Sequence, residues 1–276
     1  MKLSIITPCY NAVRYLDETV QSVLNQNAVK SGRVELEYWI VDGASSDGTM
    51  NLLSRYKDAQ INILSENDNG MYDALTKGLK RVSGDLVAYI NAGDYYHPSA
   101  FDVIADIMCD SSVKWLTATN FFYNEKSQVV DWFQPRRYKK NFIAQGVYGT
   151  IFPHIQQEST FWRRELLEYV DLEVLSKQRY AGDFLLWKQF CAHAELDIVK
   201  AQIAGFKVHD GQLSEALNMY TLEMKEISPT MLSWRIRIAA KIESLLQAMP
   251  GPFRRMVGAE RIYQYNYVTK SWAIHS

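Results

Sequence analysis

The chain has little cysteine, little proline and no excess of either charge. Its three cysteines, Cys9, Cys109 and Cys191, lie far apart in 276 residues. Neither a disulfide framework nor a paired-cysteine metal site fits that spacing, so reduced cytosolic thiols are the expectation. No stretch approaches the roughly 18 consecutive apolar residues of a membrane span, and no charged-then-apolar leader pattern opens the sequence. Thirty basic against 31 acidic residues give a net charge of -1. A dedicated nucleic-acid binder would be clearly basic, so no nucleic-acid partner is expected. Glycine-rich phosphate loops are missing too: there is no GxGxxG and no GxxxxGKS or GxxxxGKT. GxSxG and HExxH are likewise absent. Phosphates of a bound nucleotide would then need basic side chains or a divalent cation. Carboxylate, carbonyl and water ligands suit magnesium or manganese.

What remains is an ordinary soluble composition, 47% hydrophobic and 22% charged, in a length that predicts one large domain or a domain with an appended piece. Strand and helix patterns alternate through the first 110 residues. Leu3 to Thr7 reads as a short strand stopped by Pro8, and residues 13–24 have helical spacing of apolar positions. A second strand over 36–41 ends in the cluster Asp42-Gly43-Ala44-Ser45-Ser46-Asp47-Gly48, followed by a helix to about Tyr56. Residues 61–64, 71–82, 86–90 and 98–108 continue as strand, helix, strand, helix. The nearly all-apolar run Leu86 to Ile90 is expected where both sheet faces are covered. Such alternation predicts a mainly parallel sheet flanked by helices. Polar clusters follow each strand, at 8–11, 42–47, 67–70 and 91–94. Ligands of open α/β sheets bind outside the carboxyl ends of the strands. Ser45, Ser46 and Asp47 suit helix capping as well as ligand contact. Asp42 and Asp94 each end an apolar strand and are the stronger functional candidates.

Residues 113–142 read as strands with a turn at Asn124 to Ser127. The dense segment Gln156-Gln157-Glu158-Ser159-Thr160-Phe161-Trp162-Arg163-Arg164 follows, and a helix opens near Gly182-Asp183 and runs to about His193. An acid in the first turn of a helix is stabilised by the dipole. Asp183 also has Tyr180, Phe184 and Trp187 nearby in sequence. Desolvation beside such rings would raise its pKa toward that of a general base.

Taken in order, five segments resemble family 2 glycosyltransferases of the GT-A fold over roughly residues 1 to 220. Ser4 to Asn11 is similar to the opening strand and nucleotide loop. Asp42 to Thr49 resembles VDGxSxDGT, and Ser65 to Ala74 resembles SExDxGxYDA. The segment from Gln156 to Arg164 with Gly182-Asp183, and Gly205 to Gln212, complete the pattern. The resemblance implies a mainly parallel central sheet flanked by helices, with a nucleotide-binding half at 1–110 and an acceptor half at 111–220. It implies that Thr7, Pro8, Tyr10 and Asn11 cradle the nucleoside and that Asp42 bonds the base or ribose. Asp68 and Lys77 would hold the nucleotide end of the donor. Asn91-Ala92-Gly93-Asp94 takes the place of the metal-binding DxD. Asn91 and Gly93 replace its usual acids, so Asp94 is the only carboxylate beside the expected Mn or Mg. His209 would complete the metal site, Asp183 would be the catalytic base, and Glu158 and Trp162 would contact the sugar or acceptor. A single base implies an inverting transfer, since a nucleoside diphosphate leaves without a general acid once its charge is neutralised. A glycosidase would instead need two carboxylates flanking the bond.

The expected activity is transfer from a nucleoside-diphosphate sugar, a UDP-sugar favoured, to a glycan or lipid-linked acceptor in surface polysaccharide biosynthesis. The alternative is a non-catalytic nucleotide-sugar-binding or scaffold protein, suggested by the reduced DxD. Residues 221–276 are expected to form a basic amphipathic helical tail. From Ser228 onward seven Lys/Arg face two Glu, a net charge of +5. Trp234, Ile238, Ile242, Leu245, Leu246 and Met249 share one helical face, and Pro250-Gly251-Pro252 stops the helix. Such a face suits a membrane interface, but also packing on the catalytic domain or on a second subunit. The resulting expectation is a cytoplasmic protein, with the inner face of the plasma membrane as the setting for a lipid-linked acceptor.

Overall fold

The computed structural model describes residues 1–208, 216–248 and 261–274. In chain order, β1 (Lys2–Cys9), α1 (Leu16–Leu24), α2 (Asn27–Lys30), β2 (Glu35–Asp42), α3 (Thr49–Leu53), β3 (Ile61–Ser65) and α4 (Met71–Leu79) come first. β4 (Leu86–Tyr89), β5 (Tyr95–Tyr96), α5 (Ala100–Met108), β6 (Trp115–Tyr123), β7 (Val129–Phe133) and α6 (Lys140–Ala144) follow. The remainder holds β8 (Phe161–Arg163), α7 (Leu172–Leu175), α8 (Gly182–His193), β9 (Leu196–Gln202) and β10 (Ala204–Lys207). Last are α9 (Leu217–Ile227), α10 (Trp234–Ala248), β11 (Ile262–Asn266) and β12 (Ser271–Ile274).

The central sheet runs β12-β11-β9-β6-β8-β4-β1-β2-β3. β1 pairs in parallel with both β2 and β4, and β2 with β3. Successive side chains of a strand point to opposite faces, and here the two faces bury different cores. Leu3, Ile5, Tyr38, Ile40, Leu86 and Ala88 pack with Leu16, Val20, Phe101 and Ile104 of α1 and α5. Ile6, Val41, Val87 and Tyr89 pack on the other side with Leu75, Leu79, Leu186 and Phe190 of α4 and α8. All four residues of β4 are buried, as the all-apolar run required.

β1 does not stop at Pro8 but continues to Cys9, paired with Asp42. The carbonyl of Ile6 accepts from the N–H of Ile90, so the groups of residues 6 and 8 face β4. Pairing with β4 ends at Ile6 and Tyr89. The donor that proline lacks would have met no strand, and the ladder is undisturbed. β8 enters antiparallel between β4 and β6, with Trp162 opposite both Val87 and Trp115. The arginines beside it staple neighbouring segments. Arg163 Nε donates to the carbonyl of Val113 at 2.9 Å, and Arg164 Nε to that of Gly84 at 3.1 Å.

Beyond residue 220 the expected helices are present as α9 and α10, but the chain then returns to the sheet. β11 pairs in parallel with β9 and antiparallel with β12. Ile-Tyr-Gln-Tyr-Asn is rich in strand formers, and Arg261 beside it reaches the buried Asp197 at 2.6 Å. The apolar stripe expected on α10 is not its packed face. Ile236 and Ala240 are buried against Phe142 and Val147. Trp234, Ile238, Ile242 and Leu245 face outward. Met249 and Pro250 to Pro252 lie outside the described residues.

Trp162 is fully buried, with its ring 5.6 Å from that of Phe190 and 5.9 Å from that of Trp187. Trp162→Ala is therefore expected to destabilise the protein by about 3–5 kcal/mol, measured by denaturant unfolding. A loss below about 1 kcal/mol would contradict a core position.

Candidate active site

Because β1 to β4 are parallel, their polar loops converge on one edge of the sheet. Asn11 takes a left-handed φ of 48°. Its N–H donates to Ser45 Oγ at 2.7 Å, and its Oδ1 accepts from the N–H of Ser46 at 3.0 Å. The loop after β1 is thereby tied to the loop after β2. Asp42 lies beneath them, fully buried. Its carboxylate accepts from the N–H of Ser45 at 3.0 Å, from Ser45 Oγ at 2.5 Å and from Ser65 Oγ at 2.6 Å. It organises the loops from below, which differs from the expected direct contact with a base or ribose.

Thr7 departs from expectation in the same way: its hydroxyl is buried 2.9 Å from that of Tyr38. Pro8 is buried within β1. Tyr10, 64% exposed, and Asn11 are the residues of this segment that face the crevice. Asp68 closes the group from the loop after β3. A Cβ on Gly43 would lie 2.5 Å from Asp68 Oδ2, so a larger residue there would push the Asp68 carboxylate aside. Burial raises the Asp68 pKa, partly offset by the N–H of Gly70 at 2.9 Å and by Lys77. Lys77 itself donates to the carbonyl of Asn67 at 2.6 Å and lies 3.1 Å from Glu66. It pins this loop.

At the end of β4, the N–H of Gly93 donates to Thr19 Oγ1 at 2.9 Å, and that hydroxyl donates to the carbonyl of Asp94 at 2.7 Å. The buried Asp94 accepts from the N–H of Lys207 at 2.9 Å. Burial pushes its pKa up to about 7, against the pull of that N–H and of the Lys207 charge. Glu158, on a 3-10 turn over Gln157–Ser159, is buried as well. Burial, and after it the charges of Asp94 and Asp183, push its pKa well above the ordinary carboxylate value. Its Oε1 and Asn91 Oδ1 are buried oxygens without hydrogen-bond partners. Glu158 lies within electrostatic reach of both aspartates. Trp162 is not at the site: it lies in the core under β4, and the expected stacking on a sugar is corrected. The strand pairing that buries Trp162 could not be read from the motif alone.

A divalent cation was expected here. Among the described residues no group of three or more His, Cys, Asp or Glu is placed to hold one. A magnesium-like ion needs only one or two protein ligands when a diphosphate and water complete its shell. Asp94 and the unpartnered side-chain Oδ1 of Asn91 are hard oxygen donors that fit this smaller demand. His209 lies outside the described residues.

Asp183 sits in the first turn of α8, partly buried. Its Oδ1 accepts from the N–H of Phe184 at 2.8 Å. The hydroxyl of Tyr220 lies 3.1 Å from both carboxylate oxygens, and that of Tyr72 lies 3.4 Å from Oδ1. Desolvation raises the pKa to about 6, held there by these hydrogen bonds. The rings beside the carboxylate are not those expected. Phe184 and Trp187 turn into the core, and Tyr72 and Tyr220 take their place. Tyr72 lay within a quoted motif without a role. No pattern marked Tyr220, since its helix meets α8 only in three dimensions.

The sequence pattern described as "Glycosyl transferase family 2" matches residues 4–171. The chain belongs to this family. TuaG of Bacillus subtilis, named for teichuronic acid biosynthesis, is 34% identical over 113 residues, 40% of this chain and 43% of that relative. The Staphylococcus aureus poly(ribitol-phosphate) beta-N-acetylglucosaminyltransferase TarS is 30% identical over 98 residues, 34% of this chain and 17% of TarS. The chain thus spans less than half the length of these curated relatives. A crystal structure of S. aureus TarS 1-349 in complex with UDP-GlcNAc superposes with a TM-score of 0.59 at 20% identity, covering 78% of this chain and 61% of that one. Mannosyl-3-phosphoglycerate synthase from Rubrobacter xylanophilus gives 0.53 at 16% identity, covering 86% and 76%. The architecture is that of a GT-A glycosyltransferase.

Gly182 makes the Asp183 pocket sensitive to a single methyl group. A Cβ there would lie 2.4 Å from the ring of Tyr72. Gly182→Ala is expected to displace Tyr72 and to lower stability by roughly 1–3 kcal/mol, as overpacking does. A melting temperature equal to that of the parent would refute this contact.

Proposed function

We propose that this chain is an inverting glycosyltransferase, with a UDP-sugar as donor and a glycan or lipid-linked hydroxyl as acceptor in surface polysaccharide biosynthesis. The observation that carries the reading is Asp183. It is a carboxylate held at the crevice edge by two tyrosines, with a pKa near 6. At pH 7 it is mostly ionised yet basic enough to accept a proton as a bond forms. In the transfer, the acceptor oxygen attacks the anomeric carbon while its proton passes to Asp183. The bond from that carbon to the diphosphate oxygen breaks, and its electron pair leaves with the nucleoside diphosphate. One displacement from the opposite face inverts the configuration. Tyr10, Asn11 and Asp68 would bind the nucleoside, and Glu158 would contact the sugar or acceptor. When bound, a Mn or Mg ion would neutralise charge on the leaving diphosphate, with Asp94 and Asn91 as protein donors. The UDP-GlcNAc complex of TarS supports a UDP-sugar as the first donor class to try.

Asp183→Asn is expected to lower turnover roughly 100- to 10,000-fold while leaving UDP-sugar binding intact. Parent activity should rise with pH through about 6, because the base works only when deprotonated. A fully active Asp183→Asn variant would end the assignment. Donor binding is read separately, by the thermal shift of UDP-GlcNAc and other UDP-sugars with Mn or EDTA. Saturation at 100 times the dissociation constant adds about 2.7 kcal/mol, and the shift should shrink in EDTA. Binding without turnover in the parent would favour the scaffold alternative.

The same proposal places the acceptor at an anionic membrane surface. Trp234, 67% exposed, Ile238, Ile242 and Leu245 line the outer side of α10. Arg235, Arg237 and Lys241 are exposed among them. Apolar anchors among basic side chains suit the interface of an anionic bilayer. No described helix is long and apolar enough to cross one. The chain should co-sediment with phosphatidylglycerol vesicles but not with phosphatidylcholine, and Trp234→Ala with Ile238→Ser should abolish the difference. A dimer in light scattering that the same pair of substitutions dissolves would assign the stripe to a second copy instead.

A further inference from the structure

α9 lies beyond residues 4–171, which carry the family pattern, yet it meets the base from two directions. Tyr220 places its hydroxyl 3.1 Å from both oxygens of Asp183. One turn later, Glu223 accepts three successive backbone N–H groups: Arg179 at 2.8 Å, Tyr180 at 2.6 Å and Ala181 at 2.5 Å. These are the residues that lead into Asp183. Residues three apart share a helix face, so one face of α9 holds both the carboxylate and the loop that presents it. The helix is fastened at both ends of the contact. Met224 is buried against Ala181 and Phe184, and Lys188 Nζ donates to the carbonyl of Ile227 at 2.6 Å.

We propose that Tyr220 and Glu223 are positioning residues of the transfer reaction, clamping Asp183 and its loop in the orientation from which the acceptor proton is taken. The proposal rests on the reading of Asp183 as the base. A phenolic donor shared by both oxygens stabilises the carboxylate over its acid and stops its rotation. Tyr72, at 3.4 Å from one oxygen, is at the limit of a hydrogen bond and adds less. Other groups facing Asp183 are Tyr89 from β4 and Glu158 from the 3-10 turn, and the Glu223 charge from α9 acts on the hydroxyls of Tyr72 and Tyr220. His154 meets the Tyr220 ring edge-on at 5.0 Å, and burial lowers its pKa. Glu223 differs from a general surface acid in that its partners are main-chain groups. Its removal frees the segment before α8 rather than a side chain.

The test uses the full chain and two readouts, one of them independent of substrate. The first is the carboxyl carbon-13 NMR titration of Asp183, assigned by its absence in Asp183→Asn. Tyr220→Phe keeps the ring and removes only the donor, so the Asp183 titration should move to higher pH, and further than in Tyr72→Phe. Glu223→Ala should speed amide exchange at 179–181, with Glu223→Gln restoring part of the protection. The second readout is UDP release from UDP-GlcNAc. In Tyr220→Phe, kcat should fall roughly tenfold with KM for the donor unchanged, as for an interaction felt in the transition state. Melting temperatures of both variants separate this from unfolding. An unmoved Asp183 titration in Tyr220→Phe, or unchanged exchange in Glu223→Ala, overturns the clamp while leaving the base in place. Full turnover by Asp183→Asn overturns both.

Discussion

Everything at the site depends on one constraint, the burial of β1 on both faces between β2 and β4. The three strands run parallel, so their carboxyl ends, and that of β3, lie on the same edge. Four loops distant in sequence are forced to meet there. Because the faces feed separate cores, a slip of register by one residue would exchange the core partners of Ile5 and Ile6. The same slip would separate Asn11 from Ser45 and Ser46. Packing energy deep in the sheet thus sets hydrogen-bond geometry in the loops.

On that frame, the site holds acids in an environment that resists their ionisation. Asp94, Glu158 and Asp183 are all raised by burial, each to a different degree. The hydrogen-bond partners make the difference. Asp183 has a backbone N–H and two tyrosine hydroxyls, which hold it near 6. Glu158 has one unpartnered oxygen and two acidic neighbours, and its pKa is pushed well above the ordinary carboxylate value. Residues of similar chemistry are therefore shifted to different degrees within one site. That desolvation works against stability, and it is also what lets a carboxylate serve as a base.

Much of the nucleotide half was legible in the sequence. Short strand-forming runs, each followed by a polar cluster, located β1 to β4 and the longer helices between them to within a few residues. Asp42, Asp94 and Asp183 were marked by their places at strand and helix ends. The acceptor half was less legible, because β8 has three residues and no periodicity to show. Trp162 in such a segment looks the same whether it stacks on a sugar or fills a core. Residues 262–274 were equally obscure, since the hairpin of β11 and β12 joins the sheet only through the pairing of β11 with β9.

By itself, the sequence determined that the chain forms a mainly parallel α/β sheet, and which loops would carry its acids. Local period and strand-end chemistry are written in consecutive residues and need no partner to be read. Only the tertiary structure decided which side chains face the crevice and which groups surround the base. Thr7 and Asp42 turn inward because Tyr38, Ser45 and Ser65 meet them there. Tyr220 reaches Asp183, and Glu223 the segment before it, because α9 docks on α8, some 40 residues away in the chain. The environment of a carboxylate is a sum over neighbours in space, and spacing along the chain does not encode it.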